Sequence, residues 1–461
     1  MMGRRDNETI RFQRVVATAL LVGAVLLGGC GGGSSSSTTI ATHTTDPSVC
    51  QLLPGPSIFW GDPEATYPSI GGYYKRVEKI AYKITGKFPH SATLAFTAYD
   101  DYGFVPSPKN VLEDDAMVPD HGSVNPFLVG SKVNATRRNY TAWLWPDSEP
   151  VPSGLHNVIL FPTKPTDPTD KRVRFSMLMR MYQMQPGYHA RQFYPTIRAV
   201  STATQRALSR CPLSRRTDLG QITASFAAWN RDWGPGQLPP PTTDNRLLFA
   251  RPPARFVPYP EGYASDGAGG YFGSRIDLSK ISVVTMHDTP THFNNQTLHP
   301  SSVMGDYQAR YMSLTVLHFP STGPVSVNSS TAIYQPDGSW VTVFLPSDPR
   351  LSPDQVAAAR AKAKQLGYNV IQDPRPNKVS SVIPEQLAFR MKVPNPKFCC
   401  SVDHVPSWVD PNNPATANNN YRDWDKPKDA SFFTTYTSNS ANMGPYYIDG
   451  VQESYSAFMQ R

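Results

Sequence analysis

The sequence predicts a mainly β (α+β) fold, with two tandem antiparallel β-sandwich (jelly-roll-like) modules, a few helices and long loops. Short runs of β-branched and aromatic residues alternate with Pro, Gly, Asn and Asp at 93–184 and again at 311–394. The 45 prolines, about twice the average usage, favour loops and edge strands over long helices. The two stretches also match in the order and character of their apolar runs.

The N-terminus has the layout of a secretory signal peptide. Four arginines lie in the first fourteen residues, and residues 15–27 carry no charge. This apolar run is shorter than the roughly twenty residues that a transmembrane helix needs. It ends in Leu27-Gly28-Gly29-Cys30, which resembles the lipobox of bacterial lipoproteins. Residues 1–29 are therefore predicted to be removed and Cys30 to be lipidated, and an ordinary signal peptide with an incidental cysteine is the alternative.

A flexible tether follows the lipidated cysteine. Residues 31–39 consist only of Gly, Ser and Thr, so the predicted linker at 30–50 lets the folded body stand off the membrane. Gly31, rather than aspartate, follows the cysteine, and by resemblance to known sorting rules this favours the outer membrane. The sequence thus predicts a lipid-anchored protein of the cell envelope, whose first partner is the membrane.

The body carries a small net charge. Removal of residues 1–29 takes away four basic and two acidic residues, which leaves 40 Lys and Arg against 34 Asp and Glu, a formal charge of +6. The charges are spread along the chain without a polybasic block. The sequence therefore predicts no nucleic-acid partner.

Four cysteines remain once Cys30 is assigned to lipid, namely Cys50, Cys211, Cys399 and Cys400. In an oxidising compartment they are candidates for two disulfides, which can be paired in three ways. A Cys399–Cys400 bridge needs a strained ring, which favours pairing each of these with Cys50 or Cys211. Free buried thiols are the alternative, and no Cys-x-x-Cys spacing points to structural zinc.

The predicted body has four parts: a first module with flanking helices at 51–212, a helical and proline-rich bridge at 213–305, a second module at 306–400, and an aromatic-rich C-terminal arm at 401–461. Matched strands are predicted at 94–99, 143–146 and 178–182 in the first module and at 312–317, 343–346 and 388–392 in the second. Their alternating apolar residues place one face of each strand in a core. The arm is predicted to wrap over the body because its many aromatics argue against disorder.

Helices are predicted at four places. Apolar spacing predicts helices at 69–84, 195–209 and 221–233. In the second module, Ser352 offers an N-cap, Pro353 the first helical position and Gln355 a capping box, so a helix is predicted to follow through 356–366 and to end at Gly367.

The two modules resemble a known bacterial class. Residues 313–316 (SLTV), 337–343 (DGSWVTV) and 387–391 (LAFRM) are similar to the β-sandwich module catalogued as domain of unknown function 1214, and residues 178–182 (LMRMY) resemble its last strand. The resemblance covers the modules, under half of the chain. It implies a β-sandwich in an envelope setting and implies no reaction, because the class has none assigned.

The densest histidine group offers the main candidate for catalysis. It comprises His287, Asp288, His292 and His299, and imidazoles beside a carboxylate suit a transition metal or an acid–base pair. Pro290 breaks any helical spacing between them. Loop histidines that bond to backbone or solvent are the alternative reading.

Two further groups of residues are candidates for binding, and a glycine cluster is predicted to be structural. Asp114, Asp115 and Asp120 provide oxygen ligands for calcium, but they lack EF-hand spacing, so no cofactor is predicted and calcium is the alternative. Trp408 and Trp424, in polar sequence, are candidates for ligand stacking. The glycines at 267–273 are predicted to form a turn or hairpin loop rather than a phosphate loop, because prolines precede them.

These patterns favour a non-catalytic envelope protein that binds a cell-wall glycan, a lipid or an envelope protein. The alternative is a surface-anchored hydrolase or metal-dependent enzyme that uses the loop of His287, Asp288 and His292. Binding is favoured because no recognised catalytic spacing, such as Gly-x-Ser-x-Gly, occurs in the sequence.

Overall fold

The computed structural model describes residues 51–53, 64–75, 79–99, 108–128, 131–132, 134–163, 172–211, 241–249, 269–287, 309–317, 325–347, 350–373, 386–394, 400 and 443–461. These residues are mainly β, which confirms the predicted fold class. They belong to one compact unit, Thr45–Arg461. No helix in the described ranges is long and apolar enough to cross a membrane.

The first sandwich consists of two sheets that face each other. Its strands are β1 (Gln51–Leu53), β2 (Ala65–Thr66), β3 (Ser69–Lys75), β4 (Ile80–Lys87), β5 (Ser91–Tyr99), β6 (Val111–Glu113), β7 (Asn139–Pro146), β8 (Val158–Phe161), β9 (Arg172–Met184), β10 (Thr196–Ser201) and β11 (Ala207–Cys211). One sheet has the order β1-β3-β9-β5-β6, with β2 also paired to β9. The other has the order β11-β10-β4-β7-β8. Phe96 and Met179 from the first sheet meet Tyr140 and Ile159 from the second in a buried core.

The second sandwich repeats this arrangement. Its elements are β12 (Gly269–Arg275), β13 (Ile281–Met286), β14 (Ala309–Leu317), β15 (Ser326–Asn328), β16 (Trp340–Leu345), α1 (Pro353–Gln365), β17 (Asn369–Gln372), β18 (Gln386–Pro394), β19 (Ile448–Glu453) and α2 (Tyr455–Met459). The two sheets have the orders β12-β18-β14-β15 and β17-β16-β13-β19. Leu314 and Phe389 pack against Trp340 and Phe344 between them.

The two sandwiches share one topology. The order β3-β9-β5-β6 corresponds to β12-β18-β14-β15, and β10-β4-β7-β8 corresponds to β19-β13-β16-β17. Each sandwich has one parallel pair, β7 with β8 and β16 with β17, although the sequence analysis predicted antiparallel strands alone. The predicted matches between strands at 94–99, 143–146 and 178–182 and their later counterparts agree with this strand order.

Buried polar side chains are repeated as well. Arg180 donates from Nη1 to Thr97 Oγ1 at 2.8 Å, and Arg390 donates in the same way to Thr315 at 2.7 Å. These pairs occupy the same positions in the two sheets, because Ala95 lies opposite Arg180 and Ser313 lies opposite Arg390, each two residues before the threonine. The repetition therefore extends from the strand order to individual hydrogen bonds.

An asparagine in each sandwich fixes a neighbouring loop. The Asn157 amide accepts from Val118 N at 2.8 Å and donates to Val118 O and Thr141 O. Asn369 accepts from Ile333 N at 2.7 Å and donates to Ile333 O and Val341 O. Each side chain thus replaces two or three backbone bonds that an irregular loop cannot make for itself.

The sandwiches differ in what covers one outer sheet face. In the second, β16 and β17 are joined through α1, whose Val356 and Ala359 pack on Val343 and Leu345. In the first, residues 147–157 make the same parallel connection without a helix. Trp143 and Trp145 stand at the positions of Val343 and Leu345 and are buried. Two large rings here fill part of the volume that α1 fills in the second sandwich.

The predicted capping box of α1 is confirmed. Ser352 accepts from Gln355 N at 3.2 Å, and the Gln355 side chain accepts from Ser352 N at 2.9 Å. Pro353 is the first helical residue, and Gly367 just beyond the helix has φ 73°, a left-handed conformation that glycine adopts freely.

Two predicted helices are wrong. Within 69–84, residues 69–75 form β3 and residues 80–84 belong to β4, with Ile80, Tyr82 and Ile84 buried at a period of two. Lys79 has φ 44°, which interrupts any helix at that point. Residues 195–209 form β10 and part of β11, with Gln205 at φ 56° in the turn between them. The predicted helix at 221–233 lies outside the described residues.

The glycine cluster and the limits of the second sandwich also differ from the predictions. Gly269, Gly270 and Gly273 are in β12, which pairs with β18, so the predicted loop is wrong. The strands β12 and β13 lie in the predicted bridge, and β19 lies in the predicted arm. The second sandwich therefore draws on residues from both sides of 306–400.

Candidate functional site

A buried ion pair joins the two sandwiches. Arg310 at the start of β14 donates from Nη1 to Asp114 Oδ1 at 2.6 Å, and the two side chains are 2% and 1% exposed. Asp114 Oδ2 accepts from the Leu94 backbone N at 2.7 Å. The Arg310 guanidinium also lies over the Phe127 ring, 5.7 Å from its centroid. The carboxylate is thus held by one sandwich and its counter-charge by the other.

The charge of Asp114 depends on pH. Burial raises the pKa of this carboxyl to about 6, because lost hydration outweighs the attraction of Arg310 and the hydrogen bond from Leu94. Asp115 lies at the edge of the pair, with Oδ2 3.9 Å from Arg310 Nη2 and its side chain 49% exposed.

Aromatic rings extend this junction. Tyr182 on β9 and Tyr311 on β14 have ring centroids 5.2 Å apart, and Tyr67 meets Tyr182 edge-on at 5.9 Å. Lys392 Nζ lies 5.6 Å from the Tyr182 ring centroid and is buried. Gln183 donates to Ser330 across the same boundary. We refer to Asp114, Arg310, Tyr182, Tyr311 and Lys392 as the junction cluster.

The junction cluster fixes one sandwich against the other. Its ion pair is desolvated, and the two partners are 196 residues apart in the chain. Buried ion pairs of this kind give directional contacts, while the tyrosines supply apolar area. The arrangement holds two loops and two sheets in one geometry.

We expect the stability of the protein relative to an Asp114→Asn variant to fall as pH rises from about 4 to about 6. The folded pKa of about 6 lies above the ordinary value of 3.8, so the folded state binds more protons between these values. The contribution is fully present below the ordinary value and is lost as pH rises through the folded one. Urea unfolding across this range checks it, with exposed Asp354→Asn as the control. A stability difference that grows with pH would contradict it.

Of the four residues in the candidate catalytic histidine group, the structure describes only the first. The His287 ring stacks on Tyr447, with centroids 4.6 Å apart and planes at 22°, and its backbone N donates to Tyr447 O at 3.3 Å. Asp288, His292 and His299 lie outside the described residues. The catalytic role of this loop stays a prediction.

The structure describes the three predicted calcium ligands but not the two predicted ligand-binding tryptophans. Asp114 and Asp115 face Arg310, while Asp120 is half-buried and its backbone N donates to Asn139 O. No group of three or more His, Cys, Asp or Glu that could hold a metal occurs in the described ranges. Calcium binding stays a prediction. Trp408 and Trp424 fall in the undescribed stretch at 401–442.

The structure describes two of the four cysteines that are predicted to form disulfides. Cys211 at the end of β11 and Cys400 are both buried. Cys50 and Cys399 lie outside the described residues, so the pairing stays a prediction.

Arg310 was not predicted as the partner of Asp114, although the sequence of β14 contains a signal for it. Arg310 is in phase with Met312, Leu314 and Val316, all buried in the sandwich core. A charged residue on the apolar face of an alternating strand requires a buried counter-charge. That pattern could have identified Arg310 as one half of an ion pair.

No known family model and no curated protein matches the chain. Among solved structures, the chain is similar to an uncharacterized protein from Burkholderia cenocepacia, with TM-score 0.37, 10% identity, and coverage of 73% of this chain and 74% of that one. It is also similar to the VPA0106 protein from Vibrio parahaemolyticus, with TM-score 0.34, 8% identity, and coverage of 73% and 86%. Likenesses at these values assign no function to the chain.

Proposed function

We propose that the chain is a lipid-anchored protein of the bacterial cell envelope whose two sandwiches bind a ligand or partner without catalysing a reaction. The string Leu27-Gly28-Gly29-Cys30 after an uncharged apolar run carries the anchor half of this proposal. The residues at 31–39 support it, because a run of Gly, Ser and Thr after the cysteine has the composition of a flexible tether.

The junction cluster supports a binding role rather than catalysis. Its most perturbed carboxylate, Asp114, is already engaged by Arg310 and by the Leu94 backbone. A catalytic carboxylate has to meet a substrate proton, and this one meets a guanidinium in a site closed to solvent. Two sandwiches fixed in this way present their loops as a stable surface, which suits recognition of a cell-wall glycan, a lipid or an envelope protein.

We include two disulfides in the proposal, with Cys399 and Cys400 each paired to Cys50 or Cys211. An oxidising envelope favours such bonds. The burial of Cys211 and Cys400 is compatible with bridges that fasten chain ends to the sandwiches.

Replacing Cys30 by serine is expected to move the protein from the membrane fraction to the soluble fraction and to abolish its labelling by radioactive palmitate. The thiol is the group that is diacylated before cleavage, and a serine hydroxyl does not replace it in that reaction. Cell fractionation with immunoblotting measures the shift. Cys50→Ser is the matched control, because it removes a nearby thiol and should keep the protein labelled and membrane-bound. A Cys30→Ser protein that stays labelled in the membrane fraction would refute the anchor.

A further inference from the structure

Arg138 is a buried guanidinium with no carboxylate within ion-pair distance in the described part of the chain. Its side chain is 5% exposed. Nη2 donates to Pro89 O at 2.8 Å, and Nη1 lies 2.6 Å from His90 Nε2. Nε is buried without a hydrogen-bond partner. Arg310, which is similarly buried, has Asp114 as its counter-charge.

The imidazole next to Arg138 cannot neutralise it. Burial, and then the charge of Arg138, lower the pKa of His90 to about 4, so the ring is neutral at pH 7 and accepts a hydrogen bond from the guanidinium. Burial lowers the pKa of Arg138 to about 10, which leaves it protonated at pH 7. The pair therefore carries one positive charge, and an unpaired buried charge is costly to a fold.

An exposed aromatic side chain packs on the imidazole of this pair. The Tyr188 ring stacks on His90 with centroids 3.9 Å apart and planes at 14°, and it is 41% exposed. It also interacts electrostatically with Arg138. Tyr188 ends a tight turn in which its N donates to Gln185 O and Gly187 has φ 86°. Phe193 also packs on His90 but is buried, so Tyr188 is the exposed ring of this group.

We propose that Arg138 and His90 form a binding site for an oxyanion of the carboxylate or phosphate class, which enters when the Tyr188 ring turns away. The Nε–H and an Nη–H on one edge of a guanidinium form a fork that matches two oxygens of such a group. The anion supplies the missing counter-charge and satisfies Nε. This inference rests on the proposed binding role and names the charge of the ligand.

Titration of the full-length protein in neutral detergent tests the site, with inorganic phosphate and acetate as separate probes. Phosphate at about one hundred times its Kd is expected to raise Tm by about 5 °C. Arg138→Gln should abolish this shift and weaken binding, measured by calorimetry, by at least about tenfold. Arg137→Gln, the exposed neighbour, is the matched control and should respond like the unchanged protein.

Two further variants keep the test decisive. Arg138→Lys keeps the charge but lacks the fork, and it replaces Arg138→Gln if that variant does not fold. Tyr188→Ala should fold normally and bind phosphate at least as tightly, because it removes only the covering ring. A shift with phosphate alone assigns the phosphate class, and a shift with both probes assigns a general oxyanion site. The inference is overturned if neither probe acts on the unchanged protein or on Tyr188→Ala, or if Arg138→Gln responds equally.

Failure of this site can be told apart from failure of the anchor. Detergent-solubilised protein is used for the titration, and the anchor is measured by fractionation of cells. A chain that is released by Cys30→Ser but ignores both anions keeps its proposed location and loses this site.

Discussion

Replacing Arg310 by methionine is expected to lower the free energy of unfolding by about 3 to 5 kcal/mol. The substitution keeps an apolar side chain of similar length but leaves Asp114 buried at 1% exposure without a counter-charge. Removing one partner of a buried ion pair lowers the free energy of unfolding by more than the intact pair contributes to it. The remaining charge is then neither paired nor hydrated. Urea unfolding at neutral pH, followed by tryptophan fluorescence, measures the change.

An exposed ion pair in the same chain is the matched control. Arg246 and Asp449 approach to 3.8 Å with side chains 61% and 43% exposed, so Arg246→Met should cost only about 0 to 1 kcal/mol. The double variant Asp114→Leu with Arg310→Met should recover much of the loss, since both charges are then gone. Equal effects of Arg310→Met and Arg246→Met would show that the junction does not depend on its ion pair.

Alanine in place of Asn369 is expected to destabilise the second sandwich by about 3 kcal/mol. The amide serves the N and O of Ile333 and the O of Val341, and these backbone groups lose their partner together. Asn157→Ala should do the same to the first sandwich and cost about 1 kcal/mol more, because residue 157 has φ 56°, where alanine is strained.

Calorimetry of both asparagine variants measures these losses, and exposed Asn134→Ala is the control that should leave the transition unchanged. Comparing the two variants also tests whether both sandwiches depend on this side chain for stability, because the two asparagines make the same set of hydrogen bonds. If only one of the two variants is destabilised, the repeated hydrogen bonds do not stabilise the two sandwiches equally.

Alternation of apolar residues predicted three strands of each sandwich, at 94–99, 143–146 and 178–182 and at 312–317, 343–346 and 388–392. Leu314 and Val316 on β14 follow it, and so do Met179 and Met181 on β9. The capping box at Ser352 was equally informative, because N-cap chemistry is local. Local rules failed at 69–84, where Tyr73, Tyr74 and Val77 satisfy a helical spacing as well as a strand spacing. Pairing with β9 and β7 makes strands of the described residues 69–75 and 80–84, and that information is not local.

The candidate sites were harder to predict because they are made by tertiary contacts. Asp114 was identified for its neighbouring acids, but its partner Arg310 comes from the other sandwich. His90 and Arg138 are brought together where the chain enters β5 and β7, with nothing in either segment to mark them. A single sequence indicates that a charge is present, and only the fold shows whether another charge opposes it.

The position of β19 has a consequence for the order in which the chain can fold during synthesis. The described strands of the first sandwich lie within 51–211, so this sandwich can close before the second has been made. The second cannot, because β19 pairs along the whole of β13 and begins only at Ile448, far beyond the end of β18 at Pro394. Until those residues emerge, β13 has an open edge of the kind that recruits strands from other chains. The edge of β13 therefore stays open for longer during synthesis than the described strand edges within the first sandwich.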